Sequence, residues 1–214
     1  MSGQERLITG IEELDKKRVR IFMNGEFTFV LYKGELKRYK LEEGKEIGAA
    51  EYEEIVGGIL PKRAKLRSMN LLKARAYTER QLRDKLHQGE YPDDIIEEAV
   101  SYVKSFGYID DRQYARDFAV YHMENRSRRR IEQDLSAKGI ARDIIREVME
   151  ELAENGEQPD ETAMAKELLR KKNYDPEMAT NKEKQKLSAY LYRKGFQMDT
   201  IKRISFKIKC DKRY

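Results

Sequence analysis

Arginine side chains form the densest cluster of chemically useful groups in this sequence. Arg126, Arg128, Arg129 and Arg130 stand close together, at the start of a segment with the apolar spacing of a helix. A guanidinium presents a planar fork of N–H donors that matches a carboxylate or a phosphate. Because the helix dipole disfavours cations at a helix N-terminus, this placement favours a binding role toward DNA phosphate or an acidic protein surface. A solvated helix start is an equally good interpretation.

Two further groups of cations are candidate binding residues, and each can also be explained without a binding role. The first group follows Pro61 in a predicted linker, where simple solvation of the linker explains it as well. The second belongs to a basic C-terminal tail that could attract phosphate or could be a frayed, soluble terminus. The residues are Lys62, Arg63, Lys65 and Arg67 in the first group, and Lys202, Arg203 and Lys207 in the second.

Signatures of enzymes and metal sites are missing from the sequence. There is no glycine-rich phosphate loop, and His87, His122 and Cys210 are the only histidines and cysteine. Most acidic residues stand at helical spacing from a lysine or arginine, as surface ion pairs do. We therefore expect no catalysis, no cofactor and no metal. An enzyme that uses paired carboxylates is a third hypothesis, but no residue pattern motivates it.

The bulk composition restricts the class of protein. The 214 residues include 39% charged and 39% apolar residues, which is too few apolar residues for one thick core. A thin core built from units that contact only their neighbours fits better. The chain has no apolar run of membrane-spanning length, no signal-peptide core and one cysteine. We expect a cytoplasmic monomer that makes no membrane contact.

The elements that must position the cations begin with a β-hairpin. Asn24-Gly25 separates two β-prone runs and predicts a type I′ turn, because both residues tolerate positive φ. Alternation predicts that Phe27 and Phe29 share one face of the second strand. A helix is predicted from Ala49 to Leu60, and Pro61 should stop it because proline lacks the N–H that the next turn needs.

A threefold internal repeat is the strongest pattern. Segments that begin at Leu82, Ile131 and Leu187 align without gaps, and each predicts two amphipathic helices joined by a tight turn. Gly139 and Gly195 mark the turns of the second and third units, and Gly89 is expected to serve the first turn one position earlier. The remaining apolar columns are Leu86, Leu135 and Leu191; Tyr91, Ile140 and Phe196; Ile96, Ile145 and Ile201; and Ala99, Val148 and Ile204.

A further helix precedes each pair. In the second unit it holds Tyr114, Phe118 and Tyr121, whose spacing places them on one face and favours a core role over base stacking. The fold class we predict is mainly α, with tandem three-helix repeats in an elongated, curved array behind a small N-terminal α+β domain of a β-hairpin and a helix. The predicted divisions are 1–60 for that domain, then repeats at 61–109, 110–156 and 157–214.

Three stretches resemble the RecX family of recombinase regulators. The segment 71–82 (LLKARAYTERQL) resembles the opening of the family's first module. The segment 107–115 (GYIDDRQYA) resembles the junction of modules one and two, and 130–140 (RIEQDLSAKGI) resembles the second-module signature. The likeness covers about residues 66–206, in order and at matching spacing. Ser127 stands where the family usually has glycine.

The resemblance implies a function in DNA repair, recombination and the SOS response. A RecX-like protein is expected to bind the RecA filament, to reach single-stranded DNA through that filament, and to oppose recombinase activity. A DNA-binding helical-repeat module without sequence specificity and without a recombinase role is the alternative, since the basic residues alone would support either.

Overall fold

A computed structural model describes residues 6–175 and 178–206 of the chain. The described residues fall into two compact units, divided between Asp110 and Asp111. The first unit contains, in chain order, β1 (Ile8–Glu13), β2 (Arg18–Met23), β3 (Glu26–Tyr32), α1 (Lys33–Arg38), α2 (Ala49–Glu54), a π-helical turn (Ile55–Ile59), α3 (Leu60–Ala74), α4 (Glu79–His87) and α5 (Asp93–Ser105).

The predicted hairpin is confirmed, and a third strand extends it. Asn24 and Gly25 connect β2 to β3 with φ values of 51° and 86°, as the type I′ turn requires. Strand β1 then pairs antiparallel with the other edge of β2, which gives the sheet order β1-β2-β3. The sequence did not predict β1, because Gly10 and two glutamates interrupt its apolar alternation.

A bulge separates the two phenylalanines that were predicted to share a face. Phe29 pairs with Ile21 and Phe27 pairs with Phe22, so Thr28 is an extra residue in β3. One extra residue reverses the face of every side chain beyond it. Phe29 is therefore fully buried whereas Phe27 is 43% exposed, and the prediction for Phe27 was wrong.

Pro61 does not end the preceding helix, which is a second correction. Helix α2 runs through the π-helical turn directly into α3, and Pro61 occupies its first turn. In the wider turn the N–H of Leu60 bonds the carbonyl of Ile55, five residues back. The π-helical turn lies immediately before Pro61, so the helix changes its bonding pattern at the point where it continues past a residue that has no N–H to donate. The predicted linker is in fact helix α3.

The sheet and the first three-helix module share one core in the first unit. Ile21 and Phe29 from the sheet belong to the same buried cluster as Leu60 of α3 and Leu82 of α4. Arg20 on β2 also donates from Nε to a Glu90 carboxylate oxygen at 2.7 Å, beside the turn after α4. The N-terminal sheet is therefore an integral part of this unit, while the fourfold division predicted from the sequence stays a prediction.

The second unit holds two three-helix modules, each with its own core. In chain order its helices are α6 (Asp111–His122), α7 (Arg128–Ala137), α8 (Arg142–Glu154), α9 (Glu161–Lys171), α10 (Asn181–Arg193) and α11 (Met198–Phe206). One buried cluster joins α6, α7 and α8, and another joins α9, α10 and α11.

The predicted repeat columns are confirmed by burial. Leu82, Ile131 and Leu187 are buried. The next column is also buried in all three modules, as are the two columns on the third helix of each module (α5, α8 and α11). The third column is buried except at Tyr91, which is half-buried. The members of the fully buried columns are Leu86, Leu135 and Leu191; Ile96, Ile145 and Ile201; and Ala99, Val148 and Ile204.

The same C-terminal turn follows the second helix of each module. A backbone N–H in the turn donates to a leucine carbonyl five residues back, the bond of a Schellman motif. These pairs are Tyr91 to Leu86, Ile140 to Leu135 and Phe196 to Leu191, at 3.4, 3.2 and 3.2 Å.

The left-handed residue of the first turn is Glu90, where Gly89 had been expected. Glu90 has φ of 58°, and it aligns with Gly139 and Gly195. Its carboxylate is held by Arg20, which fixes a backbone conformation that a non-glycine residue seldom adopts. Gly89 is required for lack of space, because a Cβ there would lie 2.9 Å from the Tyr91 ring.

Candidate partner-binding surface

The predicted arginine cluster lies at the start of α7, next to the third module. Ser127 is the N-cap of α7, and its Oγ accepts from the N–H of Arg130 at 3.4 Å. The same hydroxyl donates to the Lys194 carbonyl, in the turn after α10, at 3.1 Å. A serine in this position therefore starts the helix and ties it to the neighbouring module, which a glycine could not do through a side chain.

Glu161 reinforces this junction from α9. One carboxylate oxygen accepts from the N–H of Arg128 at 3.2 Å, and the other accepts from the N–H of Gln197 at 3.3 Å. Gln197 precedes α11, so one carboxylate meets the first N–H groups of two helices. Negative charge at a helix start offsets the cost of placing arginines there.

Three of the four predicted arginines are already paired with carboxylates of α7. Arg126 donates to Asp134 at 2.6 Å, and Arg130 lies 3.1 Å from the other oxygen of the same carboxylate. Arg128 Nε donates to Glu132 at 2.9 Å. These pairs reduce the net charge of the cluster and give the three side chains a structural role in addition to any binding role.

Arg129 is the exception in the cluster. Its side chain is exposed, and its guanidinium lies 4.7 Å from the centre of the Tyr192 ring. No carboxylate of the described residues pairs with it. Stacking on the ring orients the fork without neutralising it, so the donors stay available to a partner.

Two arginines that sequence reasoning missed lie beside Arg129. Arg142 and Arg146, one turn apart on α8, line a surface depression of about 440 Å³ together with Arg128 and Arg129. Both are exposed and unpaired within the described part of the chain. Their spacing of four residues was visible in the sequence, but only the packing of α8 against α7 places them next to the cluster. The depression therefore combines four arginines with one carboxylate, Glu132.

The cations predicted in a linker lie on α3, and two of them are used internally. Arg63 donates to Glu35 and to the Val30 carbonyl, and Lys65 donates to Glu98 at 2.7 Å. Lys62 and Arg67 are exposed and have no carboxylate partner among the described residues. Both are therefore still available for binding.

The predicted C-terminal candidates are divided by the described range. Lys202 and Arg203 are exposed on α11, and Lys207 lies outside the described residues. The first two share the second unit with the arginine cluster.

The aromatic residues of α6 are partly at odds with their predicted core role. Tyr114 and Phe118 pack against the core of the second module, but Tyr121 is 78% exposed. The buried stripe of α6 is centred on Ala115 and Ala119, both fully buried, which places the aromatic row at its edge. The prediction for Tyr121 was wrong because apolar spacing alone did not show which side of α6 meets its neighbours.

Two ionisable groups near the cluster have lowered pKa values. Partial burial, followed by the nearby charge of Arg126, lowers the pKa of His122 below its usual value. A hydrogen bond from Arg170 lowers the pKa of Glu167 to about 2.

Within residues 6–175 and 178–206, no three His, Cys, Asp or Glu residues group as a metal site would require. No helix among these residues is both long and apolar enough to span a membrane.

Comparisons with known proteins agree on one family. Models of the first, second and third three-helix domains of RecX match residues 64–102, 110–149 and 159–204. The regulatory protein RecX of Caldanaerobacter subterraneus subsp. tengcongensis is 33% identical over 92% of this chain and 97% of its own length. That of Clostridioides difficile is 31% identical over 94% of this chain and 95% of its own length.

Solved structures show the same fold at lower identity. A crystal structure of a regulatory protein RecX aligns with a TM-score of 0.62 at 21% identity, over 94% of this chain and 100% of its own. The structure of RecX from Lactobacillus salivarius aligns with a TM-score of 0.57 at 22% identity, over 68% of this chain and 94% of its own.

Proposed function

Because this chain belongs to the RecX family, whose members are named regulatory proteins, we propose that it binds a RecA–DNA filament and inhibits the recombinase. It acts by binding, without a catalytic step of its own. DNA enters the interaction mainly through the filament. The cellular setting of this activity is the cytoplasm, in recombinational repair and the SOS response.

The depression lined by Arg128, Arg129, Arg142 and Arg146 carries the proposal. Arg129, Arg142 and Arg146 are exposed and unpaired in the described residues, so they present a net positive surface. Guanidinium forks match both groups that a recombinase filament offers, namely acidic side chains and DNA phosphates. Regular α-helices carry all four, and rigid elements hold binding groups more precisely than loops do.

The test reverses two unpaired arginines and leaves the ion pairs of α7 intact. Arg129→Glu with Arg142→Glu should weaken binding to a RecA filament by at least about tenfold, since each lost charge-assisted contact is worth about 1.5–3 kcal/mol. Reversal of Arg128 or Arg130 is less informative, because each would place a glutamate against Glu132 or Asp134 and disturb α7 itself.

A matched control separates the surface from general charge. Lys166→Glu with Lys182→Glu makes the same change in net charge at two exposed, unpaired positions of α9 and α10, away from the depression. The control should bind and inhibit like the parent protein. Equal loss in both double variants would remove the arginine surface from the interaction.

Salt dependence separates filament binding from plain DNA binding. Binding to naked DNA through phosphates alone should fall linearly and steeply with salt on a log–log plot. Under the proposal, affinity for the filament exceeds affinity for the same DNA without RecA, and the difference persists as salt rises. Equal affinities with the same steep slope would instead favour the plain DNA-binding module.

A further inference from the structure

A second concave surface lies at the start of α7 and shares no lining residue with the arginine depression. It is a cleft of about 800 Å³ whose walls come from the segment between α6 and α7, the first turn of α7, helix α9 and the end of α10. Arg126 and Arg130 face this cleft, whereas Arg129, Arg142 and Arg146 line only the depression. The two surfaces can therefore be altered independently.

The rim of the cleft is mostly positive. Five cations line it against two carboxylates, Glu124 and Glu167. Arg193 and Lys194, at the end of α10, are exposed and have no carboxylate partner among the described residues. The remaining cations on the rim are Arg126, Arg130 and Lys171, each already within reach of an acidic side chain.

The floor of the cleft is apolar. Met164 and Leu168 of α9 are half-buried there, beside Tyr190 of α10 and the buried Phe196. These side chains leave apolar area in contact with solvent at the bottom of a charged cleft. An apolar group of a partner that covers this area removes it from water and so stabilises the complex.

We propose that this cleft binds an acidic protein segment that carries an apolar side chain between its carboxylates. The apolar side chain lies on Met164 and Leu168, and the flanking carboxylates pair with Arg193 and Lys194. The arginine fork at Arg193 suits a carboxylate, and the neighbouring lysine adds a second, flexible donor.

The make-up of the cleft favours a protein segment over a nucleic acid strand. Glu124 interrupts the positive rim, so the cleft does not offer the unbroken positive groove that a continuous run of phosphates needs, whereas separate carboxylates can pair with Arg193 and Lys194 alone. The floor is built mainly from the flexible side chains of Met164 and Leu168. The half-buried Tyr190 ring already has the Lys172 ammonium 4.4 Å from its centre, whereas single strands are bound chiefly by open aromatic platforms. Charge and floor together fit carboxylates around an apolar anchor.

The experiment uses the full chain and a short, rhodamine-labelled peptide rich in Asp and Glu with one central Phe. Fluorescence anisotropy measures its affinity for the parent protein and for Arg193→Glu with Lys194→Glu. The double reversal should weaken binding by at least about tenfold. Arg193→Gln with Lys194→Gln should give a smaller loss in the same direction, and Lys166→Glu with Lys182→Glu serves as the matched control, since neither residue lines the cleft. Circular dichroism checks that the helices persist.

Two competitors decide what the cleft recognises. A peptide with Ser in place of Phe should bind more weakly, because it leaves the floor uncovered. Equal affinity of the two peptides, or equal loss in the control variant, would overturn the proposal in favour of general charge attraction. Binding of oligothymidylate that depends on Arg193 and Lys194, without binding of the acidic peptide, would assign the cleft to nucleic acid.

This test is independent of the filament proposal. Arg129→Glu with Arg142→Glu should leave peptide binding unchanged, because neither residue lines the cleft. A cleft that does not bind the acidic peptide would therefore leave the filament proposal standing.

Discussion

The contact between Gly195 and the start of α7 makes a quantitative prediction about stability. Gly195 has φ of 87°, and a Cβ there would lie 2.6 Å from Ser127 Oγ and 3.1 Å from the Arg130 nitrogen. The substitution Gly195→Ala therefore has two effects. It places a residue with a Cβ in the left-handed region, and it pushes against the hydroxyl that caps α7 and bonds the Lys194 carbonyl.

Gly156 supplies the matched control for this substitution. It has nearly the same backbone angle, with φ of 80°, but a Cβ there would have no neighbour within 4 Å. Gly156→Ala should lower the free energy of unfolding by about 1–2 kcal/mol, the cost of the left-handed conformation alone. Gly195→Ala should lower it by about 1.5–4 kcal/mol, because loss of an N-cap adds about 0.5–2 kcal/mol.

Urea unfolding followed by far-ultraviolet circular dichroism measures both variants, and hydrogen exchange locates the change. In Gly195→Ala, exchange should accelerate in α7 (Arg128–Ala137) as well as in α10. In Gly156→Ala, α7 should stay as protected as in the parent protein. Equal destabilisation by the two substitutions, with α7 protected in both, would refute the inferred tie between the second and third modules.

Other positions give shorter predictions. Leu135→Asp should unfold the second module, as a loss of helical circular dichroism, because it buries an unpaired charge at a site with no solvent exposure; a stable, folded variant would contradict the repeat alignment. Tyr121→Ser should change the unfolding free energy by less than about 0.5 kcal/mol, whereas Phe118→Ser should cost several times more in the same denaturant titration. Glu90→Gln should cost about 0.5–1 kcal/mol near neutral pH. Because Arg20 lowers the pKa of Glu90, its ionised form stabilises the fold above pH 4.5, and the contribution is lost as pH falls through the lowered pKa. The parent protein and Glu90→Gln should thus converge in stability in acid, and a difference that persists there would show that the charge is not responsible.

The repeat could be predicted from the sequence because the information is local and occurs three times. Helical spacing of apolar residues, with glycine at two of the three turns, determined which side chains would be buried. The resemblance to RecX rested on three short local stretches, and the family models confirm it. The mainly helical fold with a small N-terminal β-containing part is also confirmed.

The features that sequence reasoning missed depend on a long-range contact or on single irregularities of the backbone. The first turn uses Glu90 in a left-handed conformation, and the side chain that holds it, Arg20, lies seventy residues away in the chain. The bulge at Thr28 and the π-helical turn before Pro61 are single irregularities, and a periodic pattern does not show where one occurs.

The candidate site could be predicted only in outline. The cluster that starts at Arg126 was visible as a run of charge, and helical spacing indicated ion pairs such as Arg128 with Glu132, but spacing could not show that Arg126 also reaches Asp134, eight residues away. Nor could it show that Arg142 and Arg146 complete a depression beside Arg129, since they become neighbours only when α8 packs on α7. The binding roles of all these cations stay predictions.

ATP hydrolysis by RecA on single-stranded DNA, with this protein titrated in, tests the central proposal most directly. Under the proposal, hydrolysis falls when the protein is well below one copy per RecA, since a regulator bound to the filament or its growing end affects many subunits. The Arg129→Glu and Arg142→Glu double variant should require at least about tenfold more protein for the same loss. Unchanged hydrolysis at saturating protein, with DNA binding retained, would contradict the proposal and leave a DNA-binding module without a recombinase role.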